Sequence, residues 1–271
     1  MPFHLFGLLV QGFCAGTVGS AIGIGGGLII VPVLNLLFDI PIHHAIGASM
    51  VCVIATSNGA ASSYVRQGLS DIRLGLVLEL GASVGAVTGA LLAGWASREV
   101  LGGLFAVLLI YAGIGIFRRN GSFHSENNHT QCDQEIASGR IPSYVPQRIP
   151  LGLGVSFASG NVSGLLGVGG GVVNVPLMYL LMGVPFKIAT ATSNFMMGVT
   201  AAAGAFIYYA RGEVLWWIAG PVATGIFFGA RLGTHLLRRV PSRWLQIFFS
   251  LVALYFAGLM IHRLFTKGWG A

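Results

Sequence analysis

Two runs of glycine set in strongly apolar sequence carry the clearest chemistry of this chain. Gly23-Ile24-Gly25-Gly26-Gly27 leads into Leu28-Ile29-Ile30-Val31-Pro32, and 144 residues later Gly167-Val168-Gly169-Gly170-Gly171 leads into Val172-Val173-Asn174-Val175-Pro176. Glycine weakens a helix by about 1 kcal/mol per residue relative to alanine, so each run reads as a break. In lipid, a broken backbone survives only where it is buried in protein or lines a polar cavity. Each break opens a new helix, whose first N–H groups lack partners and whose dipole is positive at that end. Two such ends facing one another suit a small anion, and matched interruptions point to a transporter's substrate site. Gly25, Gly26, Gly27, Gly169, Gly170 and Gly171 are therefore the backbone candidates, with no side chain between amide and ligand.

A second polar patch recurs at the same offset. Ala48-Ser49-Met50 aligns with Thr192-Ser193-Asn194. Ser49, Thr192, Ser193 and Asn194, with Asn174 just after the second break, supply neutral donors that hold an oxyanion without locking it in place; Asn58 is a further candidate. The competing role for the hydroxyls is a bond to the carbonyl four residues back. Glu79 and Arg231 lie inside apolar segments, where an ionisable residue usually has a partner or a function. They are a candidate ion pair, and Glu79 a candidate coupling group; the alternative is that Arg231 snorkels to the interface while Glu79 faces water.

The elements that must position these groups are membrane spans. Of 271 residues 55% are hydrophobic and only 8% charged, against about 25% charged in soluble domains. The chain is therefore expected to be an all-α polytopic membrane protein. Its net charge of +7 would suggest nucleic acid in a soluble protein, but here the basic residues sit at the ends of apolar segments, where they set topology and face anionic lipid. No nucleic-acid partner is expected. The start, Met1-Pro2-Phe3-His4, lacks a basic leader region, so the first apolar segment is read as a retained span. Cys14, Cys52 and Cys132 show no metal or disulfide spacing.

Apolar segments run over about 3–22, 28–38, 43–65, 72–97 and 100–117, then over 151–166, 172–183, 186–210, 214–237 and 244–265. A polar stretch separates the two sets, giving a first transmembrane repeat 1–118, a linker 119–148 and a second repeat 149–271. His124, His129 and Cys132 lie in that linker, read as a solvated loop. The offset of 144 holds without a gap from Phe13/Phe157 through Pro41/Pro185, Ser49/Ser193 and Tyr64/Tyr208 to Tyr111/Tyr255, so the unit is duplicated. Gly85 and Gly89, with their copies Gly229 and Gly233, are spaced for close helix approach. Glu79 and Arg231 come to similar depth from one membrane face only if the halves are inverted, which is the expected arrangement; basic-residue counts do not decide it.

The paired Gly-x-Gly-Gly-Gly motif with proline nine residues after its first glycine, together with Thr192-Ser193-Asn194-Phe195, resembles the sulfite exporter TauE/SafE family of membrane permeases. The resemblance covers essentially the whole chain outside the linker. It implies a transporter, and specifically an exporter, of small sulfur-containing anions such as sulfite or organosulfonates in the inner (plasma) membrane. The first half departs from the family's Gly-Thr-Ser, reading Gly47-Ala48-Ser49. The alternative is a passive anion channel with the same pore. An intramembrane enzyme is disfavoured, since the seven histidines are scattered with no catalytic spacing; no cofactor or metal is expected, and no nucleotide-binding loop points to a primary pump. The partners are a small anion and the lipid bilayer, and a homo-oligomer is left open.

Overall fold

A computed structural model describes residues 2–119, 144–239, 250–251 and 254–262. The helices are α1 (Pro2–Ile22), α2 (Gly27–Leu37), α3 (Ile42–Arg66), α4 (Ile72–Ala93), α5 (Arg98–Arg119), α6 (Ile149–Leu166), α7 (Gly171–Pro176), α8 (Phe186–Ala210) and α9 (Trp216–Arg239). A π-wound turn, Leu177–Leu181, continues α7, and residues 254–262 are again helical. Among the described residues there is no strand. His124, His129 and Cys132 lie outside the described residues.

Local chemistry sets the boundaries. Pro41 and Pro185 precede α3 and α8 with the same extended backbone, φ −54° and ψ 140°. Asp71 caps α4, its Oδ1 accepting from Leu74 N at 3.0 Å.

Four described helices are long and apolar enough to cross a membrane: Leu5–Ile22, Ile42–Arg66, Ile72–Ala93 and Ile149–Leu166. On α4 the large apolar side chains Leu76, Leu80, Val84 and Leu91 point outward, while Gly81, Ala82, Gly85, Ala86, Gly89 and Ala90 are buried. In water such an apolar exterior would promote association. In lipid it is the ordinary outer face, and small residues form the helix-packing face. The chain is a multi-pass membrane protein.

The helices pack through backbone contact. A Cβ at Gly160 would collide with the Ala82 carbonyl, and one at Gly85 with that of Phe157, so α4 and α6 run side by side. The same contacts recur with the halves exchanged: Gly16 lies against Ile226 and Gly229 against Phe13, joining α1 to α9. Each half thus lends its first helix to the fourth helix of the other. Between these pairs lie α3 and α8, which cross in opposite senses. Met50 meets Gly204, whereas Ser57 Oγ donates to the Asn194 carbonyl at 2.7 Å, so advancing along α3 means retreating along α8. Tyr64 and Tyr208 are fully buried and donate to equivalent carbonyls, Ser20 O at 3.1 Å and Gly164 O at 2.9 Å.

Candidate functional site

Both glycine runs are sharp turns between helices. Gly25 and Gly169 each have φ of 79°, and Gly26 and Gly170 have φ of 76° and 77°. A β-carbon in that left-handed region costs about 1–2 kcal/mol. The turns also touch one another: a Cβ at Gly27 would strike the Gly167 carbonyl, and one at Gly171 that of Gly23. Sequence marked these positions as glycine for the approach of a ligand; in this conformation the neighbour is the opposite turn. Both turns are buried, with Ile24 3%, Leu28 1% and Val168 1% exposed. They lie against the middle of α3 and α8, near Val53 and Met197.

Hydroxyls hold the turns from across the interface. Ser49 Oγ donates to Gly167 O at 2.7 Å and Ser193 Oγ to Gly23 O at 3.0 Å, equivalent bonds running in opposite directions between the halves. Neither bond is to a carbonyl four residues back, and both direct the hydroxyl hydrogen at backbone rather than at a ligand. Thr56 Oγ1 donates to Gly25 O at 3.0 Å and Ser159 Oγ to Gly170 O at 2.9 Å. Neither residue stood out in the sequence, because a single hydroxyl in an apolar helix carries no spacing signal; Thr56 lies one helical turn beyond Cys52, which it also reaches through its carbonyl.

The backbone donors lie where a helix start leaves them. In α2 the first ladder bonds are those of Ile29 N and Ile30 N to Gly26 O, and in α7 those of Val173 N and Asn174 N to Gly170 O. The N–H groups of Gly27, Leu28, Gly171 and Val172 precede these bonds.

Two amides stand out beside the turns. Asn174 is 0% exposed, adjoins Gly170, and neither its Nδ2 nor its Oδ1 has a partner. Asn194, also fully buried, donates through Nδ2 to Ser20 O and Thr190 O at 3.0 Å each, while its Oδ1 is unpartnered. A buried polar group without a partner costs about 1–3 kcal/mol, so such a group calls for an explanation.

The remaining residues singled out in the sequence lie apart from the turns. Thr192 faces the start of α4, its hydroxyl accepting from Asp71 N at 2.9 Å. Asn58 is exposed. Glu79 and Arg231 do not pair with one another. Glu79 is 5% exposed and its Oε1 accepts from Ser83 Oγ at 2.8 Å and Thr200 Oγ1 at 2.7 Å. Arg231 is exposed and stacks over the Phe227 ring at 4.7 Å. The depth argument placed the two at one level but carried no information on helix rotation, and Arg231 faces outward. Arg211 is more than a topology marker: it donates to Ala90 O at 2.8 Å, pairs with Glu213 at 2.9 Å and stacks on Tyr208. Outside the spans, Tyr144 donates to Asp71 Oδ2 at 2.6 Å, and burial followed by the Asp71 carboxylate pushes its phenol above the usual range. Among the described residues no His, Cys, Asp and Glu cluster is placed to hold a metal.

Comparison with known proteins gives this architecture its relatives. The family model described as Sulfite exporter TauE/SafE matches residues 8–260. The chain is 27% identical to the Probable membrane transporter protein YunE of Bacillus subtilis over 263 residues, covering 94% of this chain and 96% of the relative. It is 30% identical to the Probable membrane transporter protein ORF9 of Sinorhizobium sp, covering 87% and 84% of the two chains. A Probable membrane transporter protein of Methanocaldococcus jannaschii is 25% identical, with 90% of each chain covered. No solved structure matches.

Proposed function

This chain belongs to the sulfite exporter TauE/SafE family, and we propose that it is a secondary transporter, working as an exporter, of small sulfur-containing anions such as sulfite or organosulfonates in the inner (plasma) membrane. The observation that carries the reading is Asn174, fully buried against the second glycine turn with both amide atoms unpartnered. Asn194 supports it from α8, and the first N–H groups after each turn add donors of the same sign. In this reading the anion takes its hydrogen bonds from the turn backbone at Gly26, Gly27 and Gly169 to Gly171 and from the two amides. Gly25, whose N–H already donates to Gly19 O at 3.2 Å, shapes the turn. Ser49 and Ser193 act differently: they fix the turns by holding their carbonyls. Thr192 ties α8 to the cap of α4.

The antiparallel crossing of α3 and α8 and the exchanged contacts of α1 and α6 fit two halves inverted relative to one another. Burial of both turns favours a carrier over a passive channel, since the site opens only if the halves move. Export needs no energy source beyond the membrane, because one negative charge moving outward gains about 2.3 kcal/mol per 100 mV.

The test is a thermal-unfolding series on purified protein with sulfite, thiosulfate, a sulfonate and sulfate. The reading expects stabilisation by sulfite or a sulfonate, growing with concentration as binding to the folded state requires, and its loss in Asn174→Leu. Equal, small shifts for all four anions in both proteins would remove it.

A further inference from the structure

The two halves treat one threonine differently, and a carboxyl is the cause. Thr56 on α3 donates to Gly25 O of the first turn. Its counterpart 144 residues on is Thr200 on α8, whose hydroxyl goes to Glu79 Oε1 at 2.7 Å, with a weaker 3.5 Å approach to Met196 O. The position equivalent to Glu79 is Ala223. Glu79 is thus an intruder in an otherwise exchanged pattern of contacts, and it occupies the hydroxyl that in the other half grips a glycine turn.

Among the described residues its surroundings offer no counter-charge. The described elements packed most closely on α4 are α6 and α8. Helix α6 contains no ionisable side chain. On α8, Lys187 lies 13 residues from Thr200 and Tyr208 and Tyr209 lie 8 and 9 residues away, roughly 20, 12 and 13 Å along the helix. On α4 itself, Asp71 and Arg73 lie 8 and 6 residues from Glu79, about 12 and 9 Å. Ser83 and Thr200 both converge on Oε1, and Oε2 is buried without a partner. Within a membrane span a carboxyl so placed is a functional-site candidate, and a proton relay is one of the roles such residues serve.

We propose that Glu79 is a proton-carrying site that couples transport to the second glycine turn through Thr200. As a carboxylate, Glu79 accepts the Thr200 hydrogen. When a proton from water binds the carboxylate, the new O–H donates to Thr200 Oγ1, and the Thr200 hydrogen is released to the turn, as Thr56 already binds its own. Loss of the proton on the other side of the membrane reverses the exchange. The anion's identity rests on the function proposed above; the carboxyl's role does not.

The experiment uses full-length protein in proteoliposomes, with a trapped pH dye and labelled sulfite, beside infrared difference spectra recorded between acid and alkaline pH without any anion. Wild type is expected to move protons when a sulfite gradient is imposed and to show a carboxyl C=O band that changes with pH. Glu79→Gln should lose both the proton signal and that band while still exchanging sulfite. Thr200→Val keeps the carboxyl but removes its hydrogen bond, so the band should shift to higher frequency and the proton signal should fall; Thr200→Ser should restore both. Persistence of the band or of proton movement in Glu79→Gln, or an unshifted band in Thr200→Val, overturns the proposal. If wild type exchanges no sulfite but the band titrates, disappears in Glu79→Gln and shifts in Thr200→Val, the substrate assignment fails while the proton site and its link to Thr200 stand. The proton signal is then read again with thiosulfate and a sulfonate, and its absence with every anion overturns the coupling.

Discussion

The two glycine turns have nearly the same backbone and different chemistry around them. Gly25 and Gly169 share a φ of 79°, each turn lies against the other, and each is held by a serine of the opposite half. Around this common frame the side chains diverge. Asn174 stands where the first half has Ile30, and Asn194 where it has Met50. The unpartnered amides beside the turns, Asn174 and Asn194, therefore both come from the second half, while the first presents apolar groups at the matching places. Duplication preserved what closes the backbone, and the unpartnered amides beside the turns stand in one copy. On the function proposed above, the symmetric part is mechanical and the asymmetric part serves recognition, and substitutions can be chosen to attack either.

The largest effect is expected from breaking the shared part. Gly27→Val and Gly171→Val each drive side-chain atoms into a carbonyl of the opposite turn, and backbone cannot yield as a flexible side chain can. The cost should reach or pass the roughly 3 kcal/mol upper end of ordinary overpacking. Neither variant should give a monodisperse, cooperatively unfolding protein, and the two should fail alike. A stable Gly171→Val beside a collapsed Gly27→Val would show that the turns are not mechanically equivalent.

The next effect sharpens the asymmetric part by making the second half copy the first. Asn174→Ile and Asn194→Met install the first-half residues. The Asn174 side-chain amide forms no hydrogen bond, so its replacement removes a buried unsatisfied group and should raise the unfolding temperature, by about 1–3 kcal/mol of stability. The same change should abolish sulfite-dependent stabilisation. Asn194→Met loses two bonds to Ser20 O and Thr190 O, so it should lose both anion response and stability. Thermal unfolding with and without sulfite reads both. An Asn174→Ile protein that still responds fully to sulfite places recognition elsewhere.

Much of the frame was legible in the sequence because it depends on residue types that have few uses in lipid. Three glycines in an apolar run mean a break, and small residues four apart mean close helices; Gly25, Gly169, Gly85 and Gly229 all occupy such places. The polar patch was legible as a location but not as a set of roles. Ser193 and Thr192 are neighbours in sequence, yet one faces Gly23 and the other Asp71, because adjacent helical residues point about 100° apart. Spacing within one helix could not show which opposite carbonyl each hydroxyl meets. The same limit hid Thr200 beside Glu79 and left two readings open for Arg231, of which the outward-facing one agrees with its exposure, since depth along a helix says nothing of its rotation.

The smallest effect tests whether the serines belong to the frame or to recognition. Ser49 and Ser193 make equivalent bonds to Gly167 O and Gly23 O, at 2.7 and 3.0 Å, and both are fully buried. Removing either hydroxyl leaves a turn carbonyl without that donor, which should cost about 1 kcal/mol. If the serines only hold the turns, Ser49→Ala and Ser193→Ala should lower stability by similar amounts and leave the sulfite-induced shift in unfolding temperature nearly intact. If instead one of them donates to the anion in a conformation where the turns part, that variant alone should lose the shift while matching the other in stability. The comparison is informative because the two sites share burial, partner type and backbone, so at matched stability a difference in anion response traces to contact with the anion at that serine or to the amides that only the second half carries.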